Sequence, residues 1–254
     1  MRLALRVAAI LAGLIFCLAL HYLWKLLRAR PIWPQIFLGY VGACCGLRVR
    51  VQGAPLKRKV LVAANHVSWL DVLALGGAAP VNFVARGDVA GWPVVGWAAS
   101  LNDTIFVDRD VRSSVRGQAD ALREALAEGR AVALFPEGTT DGGADLLPFR
   151  ASLFASLFPP LDGVAVQPVA IDYGTAVGDV LWLEDEAFGA NAKRILSRPG
   201  TLPVTLHFLP PIDPRAAGDR KALAARSQAE VAQALVQTPL GASLGGGDPL
   251  YPPR

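Results

Sequence analysis

Hydrophobic positions divide the chain into two regimes. Residues 7–24, VAAILAGLIFCLALHYLW, form an apolar run without a formal charge. At 1.5 Å per residue, a helix of that length spans roughly 27 Å, enough to cross the hydrocarbon core of a bilayer. A second apolar stretch, residues 31–47, is punctuated by Pro31, Pro34 and several glycines. Tyr22, Trp24, Trp33 and Tyr40 supply rings of the kind that anchor at lipid–water interfaces. Two arrangements fit: a spanning anchor, or a pair of helices embedded in one leaflet. Arg2 and Arg6 precede the first run and Lys25, Arg28 and Arg30 follow it, so flanking charge gives no orientation. No small-residue cleavage site precedes Lys25, which speaks against a signal peptide.

From residue 48 short apolar runs alternate with amphipathic ones. The runs at 59–64, 82–85, 104–107, 131–135, 165–171, 179–183 and 204–208 read as strands. Helices are expected near 69–77, 92–100, 114–128, 149–157, 186–197 and 219–236. The clearest is 114–128. There Val115, Ala119, Leu122 and Leu126 share a face, Ser113 or Ser114 can cap the start, and Gly129 ends it. This alternation predicts an α/β fold with a mixed, largely parallel central sheet flanked by helices. The organisation it implies is a membrane-associated helical segment (1–47), one domain (48–238) and a disordered Gly/Pro-rich tail (239–254).

Composition adds the environment. Apolar residues make up 53% of the chain, high for a protein surrounded by water. The formal charge is +4, from 25 basic and 21 acidic residues. That suits anionic head groups or phosphorylated carriers and is too small to argue for nucleic acid. Cys17, Cys44 and Cys45 have no metal-ligand spacing and read as reduced, small apolar residues, which favours a cytosolic face. No P-loop, dinucleotide fingerprint or zinc spacing occurs. GASLG, residues 241–245, matches G-x-S-x-G but lacks the strand and helix that a nucleophile elbow requires.

Candidate chemistry gathers where three predicted strands end. The first leads into Asn65, His66, Ser68 and Asp71, the second into Asp108, Arg109 and Asp110, and the third into Pro136, Glu137, Gly138, Thr139 and Thr140. In open α/β sheets, sites form at the carboxyl ends of strands, so parallel strands would bring these clusters together. On a regular helix, residues five apart lie about 140° apart. His66 and Asp71 can therefore meet only if His66 lies on the turn before a helix and Asp71 in its first turn. An imidazole held there by a carboxylate is fixed in one tautomer and can take a proton from a hydroxyl. The plainer reading is a Ser68–Asp71 capping pair with His66 a satisfied turn residue. Arg109 can bind phosphate or carboxylate in a bidentate manner, or form a surface ion pair. Glu137-Gly138 is either a tight turn or a close backbone approach to a ligand.

NHVSWLD, TIFVDR, FPEGTT and QPVAI, in that order, resemble the four motif blocks of the glycerophospholipid acyltransferase family, over about residues 48–210. The resemblance implies a membrane-bound enzyme that moves an acyl group from acyl-CoA or acyl carrier protein to the free hydroxyl of a lysolipid, without a cofactor or metal. It assigns His66 as general base and Asp71 as its orienting carboxylate. It assigns Arg109 to a head-group phosphate, Glu137, Gly138 and Thr139 to the acceptor turn, Arg86 to the acceptor side, and Pro168 to the acyl-donor side. The leading expectation is 1-acyl-sn-glycerol-3-phosphate as acceptor, giving phosphatidic acid. Thr140 stands where the third block often carries arginine, and the EGTT-DGG-LLPFR and VAGWP runs look equally like lyso-ornithine lipid acyltransferases. The resemblance also places the enzyme at the inner or plasma membrane, active site towards the cytoplasm. Two other readings are a hydrolase using Ser68, and a silent membrane protein that binds lipid.

Overall fold

Two apolar helices open the chain, α1 (Arg2–Leu26) and α2 (Trp33–Cys45). The computed structural model describes residues 1–28, 32–92, 95–107, 112–140, 145–182 and 186–237. Next come β1 (Leu47–Gln52), β2 (Val60–Ala64), α3 (Leu70–Ala78), β3 (Asn82–Arg86), α4 (Val95–Leu101), β4 (Ile105–Val107), α5 (Arg112–Ala127) and β5 (Ala131–Leu134). They are followed by β6 (Ala165–Asp172), α6 (Val177–Val180), α7 (Phe188–Ser197), β7 (Leu202–Phe208), α8 (Pro214–Ala217) and α9 (Arg220–Gln237).

The seven strands form one sheet in the order β1-β7-β6-β2-β5-β3-β4. Every neighbouring pair is parallel except β6 and β7. The sheet is therefore mixed and largely parallel, as the alternation of elements predicts. β2 and β5 are apolar and buried throughout, and β6 is buried except at its two end residues, because both faces are covered. On one face, α3 contributes Leu70, Leu73 and Leu75 and α7 contributes Ile195. On the other, α5 supplies Leu122 and Leu126, and α9 supplies Leu223 and Val231. Gly129 ends α5 as expected, its amide bonded to the Leu126 carbonyl at 3.0 Å.

Three sequence expectations differ from the structure. Of the run at 179–183, the described residues 179–182 are not a strand: Val177–Val180 is a helical turn. Arg194 donates to the carbonyls of Asp179 and Leu181, and Asn191 donates to Leu181, so these carbonyls serve side chains and not a ladder. The helix expected over 149–157 is a 3-10 helix, Ala151–Leu157. β1 lies outside the predicted strands because it is an edge strand whose arginines interrupt the apolar pattern. The tail, 239–254, lies outside the described residues.

The apolar helices form a layer on the α3 side. α2 crosses α3 at a glycine pair: a Cβ built on Gly77 would lie 2.6 Å from the Cα of Gly39, so nothing larger fits without movement. Gln35 adds a hydrogen bond to the Gly77 carbonyl at 3.3 Å. α1 lies along α2, with the Tyr40 hydroxyl donating to the Ala9 carbonyl at 2.8 Å and Trp24 edge-on to Trp33 at 5.2 Å. Near its start, Arg6 donates to the carbonyls of Ile195 and Leu196 in the last turn of α7. A cation there satisfies carbonyls that the helix end leaves unpaired and opposes its dipole. Leu5, Leu11, Ile15, Phe16 and Leu23 remain exposed along α1. Cys17, Cys44 and Cys45 are free thiols.

Candidate active site

The site starts where β2 stops. Asn65, just past the strand, uses its side chain in place of backbone pairing. Its amide donates to the Ile171 carbonyl at 3.0 Å, and its oxygen accepts the Ile171 amide at 2.7 Å. That double bond to β6 fixes the direction in which the chain leaves the sheet. His66 follows on the turn, and Asp71 sits in the first turn of α3.

The two side chains meet. Nδ1 of His66 lies 2.9 Å from Oδ2 of Asp71. The same oxygen accepts the amides of Val67 and Ser68 at 2.7 and 2.8 Å, and the other accepts the Tyr173 hydroxyl at 2.7 Å. Asp71 is fully buried, yet four donors surround it, as a buried carboxylate requires. A carboxylate can only accept, so Nδ1 carries the proton and Nε2 is left as the acceptor. The ring of Phe135 stacks on the imidazole at 4.0 Å and 13°. The imidazole thus has one face covered, one nitrogen engaged and a partly exposed edge. The capping reading also has a counterpart, because the Asp71 side chain accepts the Ser68 amide. Both arrangements coexist on one carboxylate.

The turn after β5 reaches the same place. Oε1 of Glu137 accepts the His66 amide at 2.7 Å, and Oε2 accepts the Leu147 amide at 2.9 Å. Burial pushes this carboxyl up to about 7, although both amide bonds and His66 pull it the other way. Gly138 has φ 79°, the left-handed conformation that closes the turn and that a side chain would strain. Thr139 beside it is exposed, and its hydroxyl bonds the Thr140 carbonyl. Pro168 is buried within β6, where its carbonyl accepts the Leu209 amide. Its missing N–H falls between the Val166–Ile212 bridge and the start of β7 pairing at Val169. Arg86 ends β3. Arg109, with Asp108 and Asp110, lies outside the described residues.

The sequence profile of the acyltransferase family matches residues 48–172. Lyso-ornithine lipid O-acyltransferase of Rhodobacter capsulatus is 35% identical over 254 residues, covering 93% of this chain and 91% of its own. The chain belongs to the acyltransferase family. The protein of the same name from Pseudomonas aeruginosa is 35% identical over 251 residues, covering 94% of this chain and 95% of its own. A 1-acyl-sn-glycerol-3-phosphate acyltransferase of Neisseria gonorrhoeae is 40% identical over 119 residues, 47% of this chain and 46% of its own. Among solved structures, the 1-acyl-sn-glycerophosphate acyltransferase PlsC of Thermotoga maritima shares the fold. Its TM-score is 0.65 at 22% identity, covering 93% of this chain and 97% of that one.

This acyltransferase holds further residues at the site that the motif spacing did not single out. Tyr173 is 102 residues from Asp71, and the available signal was alternation: Val169, Ile171 and Tyr173 share a face of the last central strand. Phe135 carried no polar signal at all. Trp69 stands immediately before α3, at its N-cap position. Its indole N–H donates to Asn191 at 2.9 Å and its ring meets Phe188 edge-on at 5.6 Å. Trp92 and Trp182 flank Phe188 as well, at 5.3 and 5.7 Å, giving a half-buried aromatic group around Phe188.

Proposed function

We propose that the acyltransferase moves a fatty acyl group from acyl-CoA or acyl carrier protein to the free hydroxyl of a lyso-ornithine lipid, with His66 as general base. The observation that carries the mechanism is the 2.9 Å contact between Nδ1 of His66 and Asp71. It leaves Nε2 as the proton acceptor. Nε2 takes the proton of the lipid hydroxyl, whose oxygen attacks the thioester carbonyl. The tetrahedral intermediate collapses, the C–S bond breaks, and the thiolate leaves with the proton returned by His66. No acyl-enzyme forms, because the attacking oxygen belongs to the substrate. The amides of residues 66, 67 and 68 are engaged by Glu137 and Asp71, so donors to the oxyanion come from elsewhere. General base catalysis contributes ~10²–10⁴-fold.

Two relatives and one residue support this acceptor. The lyso-ornithine lipid O-acyltransferases of Rhodobacter capsulatus and Pseudomonas aeruginosa match over more than nine-tenths of this chain, whereas the 1-acyl-sn-glycerol-3-phosphate acyltransferase of Neisseria gonorrhoeae matches under half. Thr140 removes a cation beside the acceptor turn, which suits a head group other than a phosphomonoester. Arg109 and Arg86 remain the proposed head-group contacts. Glu137, with both oxygens on backbone amides, supports the acceptor turn by bracing it.

α1 is long and apolar enough to cross a membrane. Its contacts run from Arg6 at α7 to Trp24 at α2, which supports a hairpin held against the domain within one leaflet. Purified enzyme given acyl-CoA with lyso-ornithine lipid and, separately, with 1-acyl-sn-glycerol-3-phosphate tests the reading by product mass. Acylation of the ornithine acceptor is expected at the higher kcat/KM, and a preference for the phosphate acceptor overturns that assignment. His66→Ala should lower kcat by ~10²-fold or more with the protein still folded. Near-normal turnover would remove His66 from the mechanism.

A further inference from the structure

Tyr173 follows the last residue of β6 and is 3% exposed. Its ring packs in the core on the α3 side, and its hydroxyl donates to Oδ1 of Asp71 at 2.7 Å. The other three donors to Asp71, from His66, Val67 and Ser68, all crowd Oδ2 and come from the turn just before it. Among the described residues, Tyr173 is thus the one donor to Asp71 that comes from a different strand. Local bonds alone would hold the carboxylate at one oxygen and leave the other without a donor.

We infer that Tyr173 is a positioning residue for acyl transfer: its phenol pins the carboxylate of Asp71 to the sheet and moderates the negative charge that Asp71 presents to His66. This rests on the reading of His66 as general base. The chemistry is consistent from every side. Burial, then the charge of Asp71, push the Tyr173 phenol well above its ordinary range, so it stays protonated and donates. Among the described residues, the titratable groups around Asp71 are His66 from the turn after β2, Tyr173 just past β6, and Glu137 from the turn after β5, which senses the Asp71 charge. His207 on β7 pairs with Asp172 at 4.0 Å. By strand alternation that pair lies on the opposite face of β6 from Tyr173.

The test pairs two variants, each with thermal unfolding as a check of folding. Tyr173→Phe keeps the ring and removes the donor. It should lower kcat at least about tenfold, the scale of a lost hydrogen bond to a charged group, with KM for both substrates within about twofold. The acid limb of its kcat–pH profile should move to higher pH, because a carboxylate with fewer donors holds the imidazolium proton more strongly. Replacing Tyr173 by 3-fluorotyrosine, a stronger donor of nearly the same size, should move that limb to lower pH. Opposite shifts in the two proteins support the inference, and a role in packing alone moves neither limb. If both limbs stay in place while His66→Ala abolishes turnover, the positioning role of Tyr173 is wrong and the general base stands. If His66→Ala remains active, the reading of the base itself has failed. Should the phenylalanine variant not fold, the fluorinated protein decides alone.

Discussion

Glu137 joins the two halves of the site, since one oxygen holds the amide of His66 and the other that of Leu147. Its carboxyl titrates near 4.5 when unfolded and about 7 in place, so the folded protein holds this proton more tightly. The resulting stability is complete below pH 4.5 and lost as pH rises to about 7, with no further change above. Glu137→Gln should flatten the slope of Tm against pH across that window. It should also cost about 1–3 kcal/mol, because an amide offers one acceptor where two N–H groups need two. A slope identical to the parent's would show that another group titrates there. The geometry around His66 could be read ahead of the structure for a local reason. Five residues of separation force a turn and a first helical turn if the side chains are to touch, and Ser68 and Asp71 both favour such a start. Tyr173 and Leu147 could not be read that way, since each reaches the site from a distant segment.

Between elements, the closest approach is α2 on α3. Gly77→Ala would set a methyl 2.6 Å from the Gly39 Cα and 2.9 Å from its nitrogen, backbone atoms that cannot rotate away. Overpacking of this kind costs ~1–3 kcal/mol, more than the helix propensity gained. Gly189→Ala in α7, where nothing lies within 4 Å, should stabilise by about 0.5–1 kcal/mol. Chemical denaturation in detergent compares the two directly, and equal effects would contradict the packing of α2 on α3. Elements with a regular period, such as α5 and α9, were evident from their spacing. The segment 179–183 was not, because a short apolar run has no period long enough to separate a strand from a covered turn. What decides it is Arg194, which takes the carbonyls a strand would have offered.

For the molecule as a whole, the exposed apolar residues of α1 predict how it meets lipid. Each Leu or Phe side chain withdrawn from water contributes ~1.5–3 kcal/mol. The double variant Leu11→Asp and Phe16→Asp should therefore weaken partition into vesicles by more than about tenfold. His66 and Asp71 lie outside that helix, so turnover of short-chain, water-soluble substrates should persist. Unchanged vesicle binding would show that α1 does not carry the attachment. The two apolar runs marked a membrane-associated segment and left a spanning anchor and a leaflet-embedded pair of helices both open, since the seat of α1 and α2 depends on Arg6 reaching the end of α7 and on two glycines meeting. The Arg6 contact limits how the protein can be trimmed. Shortening the chain to begin at β1 would strip the last turn of α7 of the hydrogen bonds from Arg6 and bare the greasy side of α3. Such a fragment should clump on expression, so anyone seeking a detergent-free crystal would do better to recolour the outer side of the hairpin with charge than to cut it away.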